Sequence, residues 1–168
     1  DEMPNIVKFL FMQMKYTETR VTVNLGDYTD EYMAEYVTNA LQKNGWRVFM
    51  LRVDPTSWTY KDVFNYITSL EAQGYSVEGL WLDYMGLLPT TGCIQGNAGE
   101  AIRDMLRRFR NFAAAKGMLF MTPHQLSTTA KALLRGTTTD AMFVKDVAEK
   151  GLAAGCGQLD NETDLEFY

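Results

Sequence analysis

Residues that build metal and disulfide sites are scarce in this chain, which has two cysteines and one histidine among 168 residues. Cys93 and Cys156 lie far apart, form no C-x-x-C pair and have no histidine cluster beside them, so the sequence predicts reduced thiols and no zinc site. No apolar run approaches the roughly 20 residues of a membrane span. The acidic first residues do not resemble a secretory signal. We therefore expect a cytoplasmic protein with no membrane partner.

The chain also lacks an excess of basic residues, because 16 lysines and arginines face 21 acidic residues and give a net charge of −5. This balance argues against a generally basic nucleic-acid coat. Contact with DNA or RNA would need a local patch or assembly into a ring. The length and the 46% apolar content fit one domain that buries about 70% of the surface its unfolded form exposes.

Helical and strand-like patterns alternate along the chain. Apolar residues recur at helical spacing in the segments 6–14, 33–41, 63–70 and 102–113. Runs rich in apolar, β-branched and aromatic residues predict strands at 47–53, 77–83, 118–122 and 165–168. Such alternation predicts an α/β fold in which right-handed crossovers make the sheet parallel.

Two of the predicted helices have specific start signals. The second begins at Thr29 or Asp30 and ends at Gly45, a residue that commonly follows a helix. The third begins with Thr59, and Asp62 three residues later completes a capping box.

The most informative strand is V-E-G-L-W-L-D at 77–83, because it is apolar and ends in the carboxylate of Asp83. Open α/β sheets bind ligands at the carboxyl ends of their strands, and nucleotide hydrolases place there an acid that helps to hold Mg²⁺. The alternative is a strand that ends in a turn, with Asp83 capping the next helix. A glycine-rich loop at 86–99 follows, in a position where loops tend to be functional.

The helix at 102–113 has a second face that is basic. It carries Arg103, Arg107 and Arg110, with Arg108 beside them. Such a face is either solvated or a contact for a second subunit or a nucleic acid.

Three elements occur in a characteristic order: D-Y-M-G-L-L at 83–88, F-A-A-A-K-G at 112–117, and P-H-Q-L-S at 123–127. Their order and spacing resemble the RecA-like ATPase domain of DnaB-type replicative helicases, especially those of T-even-like phages. The segment 144–151 resembles the DNA loop of that family, and Asp1-Glu2-Met3 matches the end of its S-L-E-M motif.

The resemblance implies a RecA-like three-layer sandwich, with a mostly parallel sheet flanked by helices, and ATP and Mg²⁺ as cofactors. Asp83 would bind the nucleotide's Mg²⁺ through water, and Glu2 would be the general base. Gln125 would sense the γ-phosphate and link it to the DNA loops. The resemblance places DNA-backbone contacts at Lys145, Glu149, Lys150 and Gly151.

The function implied is part of an ATP-dependent replicative helicase motor that translocates on single-stranded DNA. Its partners would be further copies in a hexameric ring, with a primase or a helicase loader, in the host cytoplasm if a phage encodes it. Two alternatives stay open. One is a RecA/RadA-type recombination ATPase, and the other is a non-catalytic RecA-like domain for binding or assembly.

The sequence departs from the family pattern in one important way, since no Gly-Lys dipeptide occurs and the phosphate-binding loop G-x-x-x-x-G-K-[ST] is therefore missing. We expect residues 1–168 to be a single RecA-like core, a fragment that lacks the phosphate-loop strand and the C-terminal end. His124 also stands where many relatives have serine, and Glu149-Lys150 replaces the usual pair in the DNA loop.

The 168 residues alone should show little or no ATPase activity and weak ATP binding, because the missing loop would supply several charge-assisted hydrogen bonds to the β- and γ-phosphates. Titration calorimetry with ATP and Mg²⁺ measures this directly. Tight binding would contradict both the prediction and the alignment of the first residues.

Overall fold

A computed structural model of the protein describes residues 3–94, 96, 98–125, 127–135, 139–150 and 162–165, with the backbone alone at Met3, Ala98, Leu134 and 147–150. These residues form six α-helices and two parallel β-strands. This confirms a mixed structure of helices and parallel strands, of which the described residues contain two strands of the predicted sheet. None of the helices in this part of the chain is both long and apolar enough to cross a membrane.

The chain forms two compact units, residues 1–52 and residues 53–168. The first contains α1 (Met3–Thr19) and α2 (Asp30–Lys43). Both helices were predicted, and α2 begins at the expected cap, where the Thr29 hydroxyl accepts a hydrogen bond from the Tyr32 amide at 3.2 Å.

The core of the first unit centres on Phe11, Met33 and Val37, all of which are buried. The Phe11 ring meets Tyr28 edge-on at a centroid distance of 4.9 Å and Tyr36 at 5.3 Å. These edge-to-face contacts join both helices and the turn between them.

The predicted strand at 47–53 is wrong, because residues 46–54 form neither strand nor helix. Val48, Phe49 and Leu51 are about half exposed. β-Branched and aromatic residues fit a pleated, half-buried surface, but a strand forms only where another strand supplies its hydrogen bonds. The local pattern carries no information about that partner.

The second unit contains α3 (Tyr60–Ala72), β1 (Gly79–Trp81), α4 (Ala98–Lys116), β2 (Leu119–Met121), α5 (Thr128–Leu134) and α6 (Asp140–Lys150). The predicted capping box at the start of α3 is confirmed. Both the amide and the hydroxyl of Thr59 donate to the Asp62 carboxylate, at 2.8 and 2.6 Å. These bonds hold the pKa of Asp62 below its ordinary value.

Strands β1 and β2 are parallel neighbours, with Gly79 opposite Leu119 and Trp81 opposite Met121. Parallel strands require a crossover, and α4 provides it. Leu80 and Phe120 point to the core that α3 and α4 line, whereas Trp81, 66% exposed, lies on the other face.

Four aromatic rings connect the helices to the sheet in this core. Phe64 of α3 stacks on Phe112 of α4 at 4.0 Å, and Phe109 of α4 stacks on Phe120 of β2 at 4.8 Å. Phe64 also meets Phe109 edge-on at 5.0 Å. The buried residues around them include Ile67, Met85, Leu88 and Met105.

The C-terminal part of the chain differs from the prediction in one strand and two helices. Leu165 is exposed and not in a strand, and residues 166–168 of the predicted strand at 165–168 are not described. Helices α5 and α6 were not predicted, since the stretch after 127 lacks a clear apolar stripe.

Candidate functional site

The two strands bring Asp83 and the segment 123–125 to the same edge of the sheet. Trp81 pairs with Met121, and the ladder continues through a hydrogen bond from the Leu82 amide to the Met121 carbonyl at 3.0 Å. Both strands then end, and the backbone leaves the sheet at their carboxyl ends. This is the edge at which open α/β sheets bind ligands.

Asp83 is exposed at that edge, while the residues just after it are fixed. Met85 is only 1% exposed and begins a 3₁₀ turn, Met85–Leu87. The N-cap of this turn is Tyr84. The alternative interpretation required Asp83 to cap the next helical element, and it does not. A Cβ at Gly86 would lie 3.0 Å from the Tyr84 ring, so a larger residue there would require this ring to shift.

Thr122 connects the two strand ends through its hydroxyl group. The hydroxyl donates to the Leu82 carbonyl at 2.8 Å and accepts from the Met85 amide at 3.0 Å. Thr122 was not among the predicted site residues. A threonine at the end of a strand gives no signal by itself, because its role depends on the register between β1 and β2.

The far end of the glycine-rich loop is anchored to α4 by Asp104. Its carboxylate accepts hydrogen bonds from the Ile94 amide at 3.1 Å and from Arg108 Nε at 2.8 Å. Burial opposes the ionisation of Asp104, but these bonds outweigh it and hold its pKa below the ordinary value. Arg108 also donates to the Tyr60 hydroxyl at 3.0 Å, so the loop, α3 and α4 share one polar network.

Gln125 is exposed and follows β2, just before α5. Ser127 caps α5 by accepting a hydrogen bond from the Ala130 amide at 3.2 Å. The structure therefore places Gln125 between the end of a strand and the start of a helix, at the same sheet edge as Asp83.

The predicted DNA loop is wrong in its conformation, because Lys145, Glu149 and Lys150 belong to α6, a continuous helix over Asp140–Lys150. Lys145 is exposed on this helix. Glu2 and Gly151 lie outside the described residues, so the structure does not place these two predicted site residues.

Two arginines of the predicted basic face of α4 form ion pairs with acidic residues near the C-terminal end of the chain. Arg107 Nε lies 3.1 Å from both carboxylate oxygens of Glu162, and Arg110 Nε donates to Asp164 at 3.1 Å. The hydrogen bond from Arg107 lowers the pKa of Glu162, and it does so against the opposing effect of burial. These pairs join residues 55 and 54 positions apart, so no local sequence pattern predicts them.

A resident metal site would need several carboxylate, histidine or cysteine ligands together, and no group of three or more such residues exists in the described part of the chain. One exposed carboxylate, Asp83, lies at the sheet edge. A single carboxylate suits a magnesium ion that is held mainly by nucleotide phosphates and contacted by the protein through water.

Replacing Glu162 with glutamine should destabilise the second unit at neutral pH by on the order of 1 kcal/mol, since Arg107 would lose its charged partner. The folded-state pKa of Glu162 is lowered, so its contribution is present above the unfolded value of about 4.3 and is lost as the pH falls through the folded value. Urea unfolding at pH 7 and below pH 4 should therefore show a difference that shrinks in acid.

Asp164→Asn is the matched control, because Asp164 pairs with Arg110 but its side chain is 73% exposed. It should have a much smaller effect at either pH. Equal losses from both substitutions, or a difference that persists in acid, would contradict the role assigned to the Glu162 carboxylate.

Comparison with known proteins supplies the family. No curated protein matches the chain. One family, described as divergent DnaB-like ATPases, matches residues 1–168. The match spans every element described above, including the edge that carries Asp83 and Gln125. The chain belongs to the divergent DnaB-like ATPase family.

Proposed function

We propose that this chain is part of an ATP-dependent replicative DNA helicase motor that translocates on single-stranded DNA. One observation supports this most directly. The β1–β2 pair places an exposed acid, Asp83, and an exposed amide, Gln125, beyond the carboxyl ends of neighbouring parallel strands. Membership of the DnaB-like ATPase family adds nucleotide chemistry to that geometry.

In this proposal each residue has a separate task. Asp83 orients water bound to the nucleotide's magnesium, an ion that would neutralise the phosphate charge. Gln125 contacts the γ-phosphate, because an amide can donate to phosphate while accepting from backbone. Glu2 polarises the attacking water as the general base.

The RecA-like three-layer sandwich is part of the same proposal. The face of the sheet that contains Leu80 and Phe120 is already covered by the core. The opposite face exposes three large apolar side chains, those of Trp81, Leu119 and Met121. Exposed apolar residues grouped on one sheet face are suited to a second layer of helices.

The partners follow from the proposed activity. Copies of the chain would assemble into a hexameric ring around single-stranded DNA, and a primase or a helicase loader would bind that ring. Ring assembly also suits a chain with a net charge of −5, because it gathers the few basic segments around one channel.

A non-catalytic RecA-like domain for binding or assembly is the second candidate. The observation in its favour is that the chain contains no Gly-Lys dipeptide, so it has no phosphate-binding loop of the usual kind. The two candidates differ in whether Asp83 affects nucleotide turnover.

The test compares Asp83→Asn and Gln125→Ala in a longer protein that carries this chain together with a phosphate loop. Asp83→Asn should weaken magnesium-dependent nucleotide binding and suppress turnover, whereas Gln125→Ala should reduce the stimulation of ATPase by DNA. Glu2→Gln should spare binding and reduce the rate by about 10²–10⁴. Steady-state ATPase assays with and without single-stranded DNA distinguish these effects.

Two matched controls lie on the same unit. Glu78→Gln changes a carboxylate at the opposite end of β1, and Gln73→Ala removes an exposed amide at the end of α3. Both should behave like the unmodified protein. If Asp83→Asn were as harmless as Glu78→Gln, the helicase proposal would fail and the non-catalytic candidate would be preferred.

A second test concerns DNA binding by the segment 145–151, the end of α6 and the residue after it. Each phosphate neutralised adds roughly 0.7 to the slope of log affinity against log salt for single strands. Lys150→Ala in the ring should flatten that slope by about this amount and weaken binding equally for all base compositions, because backbone contacts carry no sequence information.

Lys131→Ala is the control, since Lys131 is an exposed lysine on the neighbouring helix α5. Fluorescence anisotropy at several salt concentrations gives both slopes. An unchanged slope for Lys150→Ala would remove this segment from the DNA contact.

A further inference from the structure

The Thr122 hydroxyl forms hydrogen bonds to the backbone on both sides of the dipeptide Asp83-Tyr84. It donates to the carbonyl of Leu82, the residue before Asp83, at 2.8 Å. It accepts from the amide of Met85, the residue after Tyr84, at 3.0 Å. A hydroxyl group has one hydrogen to donate and lone pairs to accept, so one side chain fixes the backbone on either side of Asp83 and Tyr84.

The direction of that hydroxyl is set by β2. Threonine is β-branched and therefore stiff at χ1, and Thr122 precedes Pro123, which restricts its backbone to extended conformations. Proline itself has a fixed φ. Thr122 and Pro123 thus form a stiff connection between the end of β2 and the segment that continues to Gln125.

The other end of the connection is equally well fixed. The Met85 side chain is 1% exposed and belongs to the main core of the second unit. Its amide needs a hydrogen-bond acceptor in these surroundings, since an unpaired buried amide is unfavourable. The Thr122 hydroxyl is the acceptor, so a shift of β2 would move the turn that follows Asp83.

We propose that Thr122 is a positioning residue that couples Asp83 to Gln125 across the β1–β2 strand ends. The purpose of this coupling rests on the proposed function. A change in the contact between Gln125 and the γ-phosphate would alter the orientation of the Asp83 carboxylate. Its structural part does not depend on that function. Thr122 contacts neither nucleotide nor metal in this proposal and acts only through the two backbones.

The first experiment uses the 168-residue chain and measures amide hydrogen exchange by NMR. Thr122→Val keeps the shape and removes the hydroxyl, whereas Thr122→Ser keeps the hydroxyl. The Met85 amide should exchange about tenfold faster in Thr122→Val, as expected for the loss of one hydrogen bond, and nearly normally in Thr122→Ser. The Leu82 amide, which donates to Met121, should stay protected in both.

Thr68→Val is the matched control, since it removes a threonine hydroxyl that donates to the Phe64 carbonyl at 2.9 Å within α3. It should leave the Met85 amide unchanged. Thr122→Ala replaces Thr122→Val if the valine variant does not fold. Equal loss of protection at Leu82 and Met85 would show that Thr122 merely stabilises strand pairing, and it would overturn the proposal.

The second experiment tests coupling without requiring activity. Asp83→Asn should shift the Gln125 amide resonances in the wild-type and Thr122→Ser backgrounds, and this shift should largely disappear in the Thr122→Val background. The same shift in all three backgrounds would refute the coupling.

The third experiment separates this inference from the proposed function. In the longer protein with a phosphate loop, Thr122→Val should lower the stimulation of ATPase by DNA, and Thr122→Ser should restore it. If the unmodified protein had no ATPase, the helicase proposal would fail, and the resonance shifts would still decide whether Thr122 couples the two residues.

Discussion

The packing of α4 against β2 and α3 is the interaction on which the second unit depends. Two strands of three residues, Gly79–Trp81 and Leu119–Met121, cannot be stable alone. They persist because Phe109 of α4 lies against Phe120 on one side and Phe64 on the other. Aromatic pairs of this kind add about 0.5–1.5 kcal/mol each beyond the burial of their area. The same helix is the crossover that makes the strands parallel.

This packing also decides how the site is built. The core fixes Leu80 and Met85 on either side of the acid, and Asp104 on α4 holds the far end of the following loop through the Ile94 amide. Asp83 itself remains exposed between these anchors. In the proposed function the Asp83 carboxylate would contact a hydrated ion, which requires access to water, and would keep a fixed direction, which requires a rigid backbone. The arrangement satisfies both needs because the anchors are backbone and core contacts, which leave the carboxylate free.

The sequence predicted the features that depend on neighbours along the chain. The start of α2 at Thr29 and the capping box of Thr59 and Asp62 were found because caps are formed within one helical turn. The predicted strand at 47–53 failed because a strand needs a distant partner. Thr122 and Glu162 were missed for the same physical reason, since each acts on residues far away in the sequence. Asp83 was an intermediate case: a strand ending in an acid is a local pattern, but its place at the same sheet edge as Gln125 depends on the register of β1 with β2.

The ion pairs of α4 bear on where the proposed DNA contact could lie in this acidic protein. Arg107 and Arg110 form ion pairs with Glu162 and Asp164, so a phosphate at either arginine would compete with a carboxylate of the chain itself. For Arg107 that carboxylate is buried, and its removal would leave a charge without its partner. Exchange of one anion for another at such a site offers little net gain. The arginine face of α4 is therefore poorly suited to phosphate contact. In the proposed ring, weak backbone contacts from other segments would add up, because each contact is repeated on every subunit.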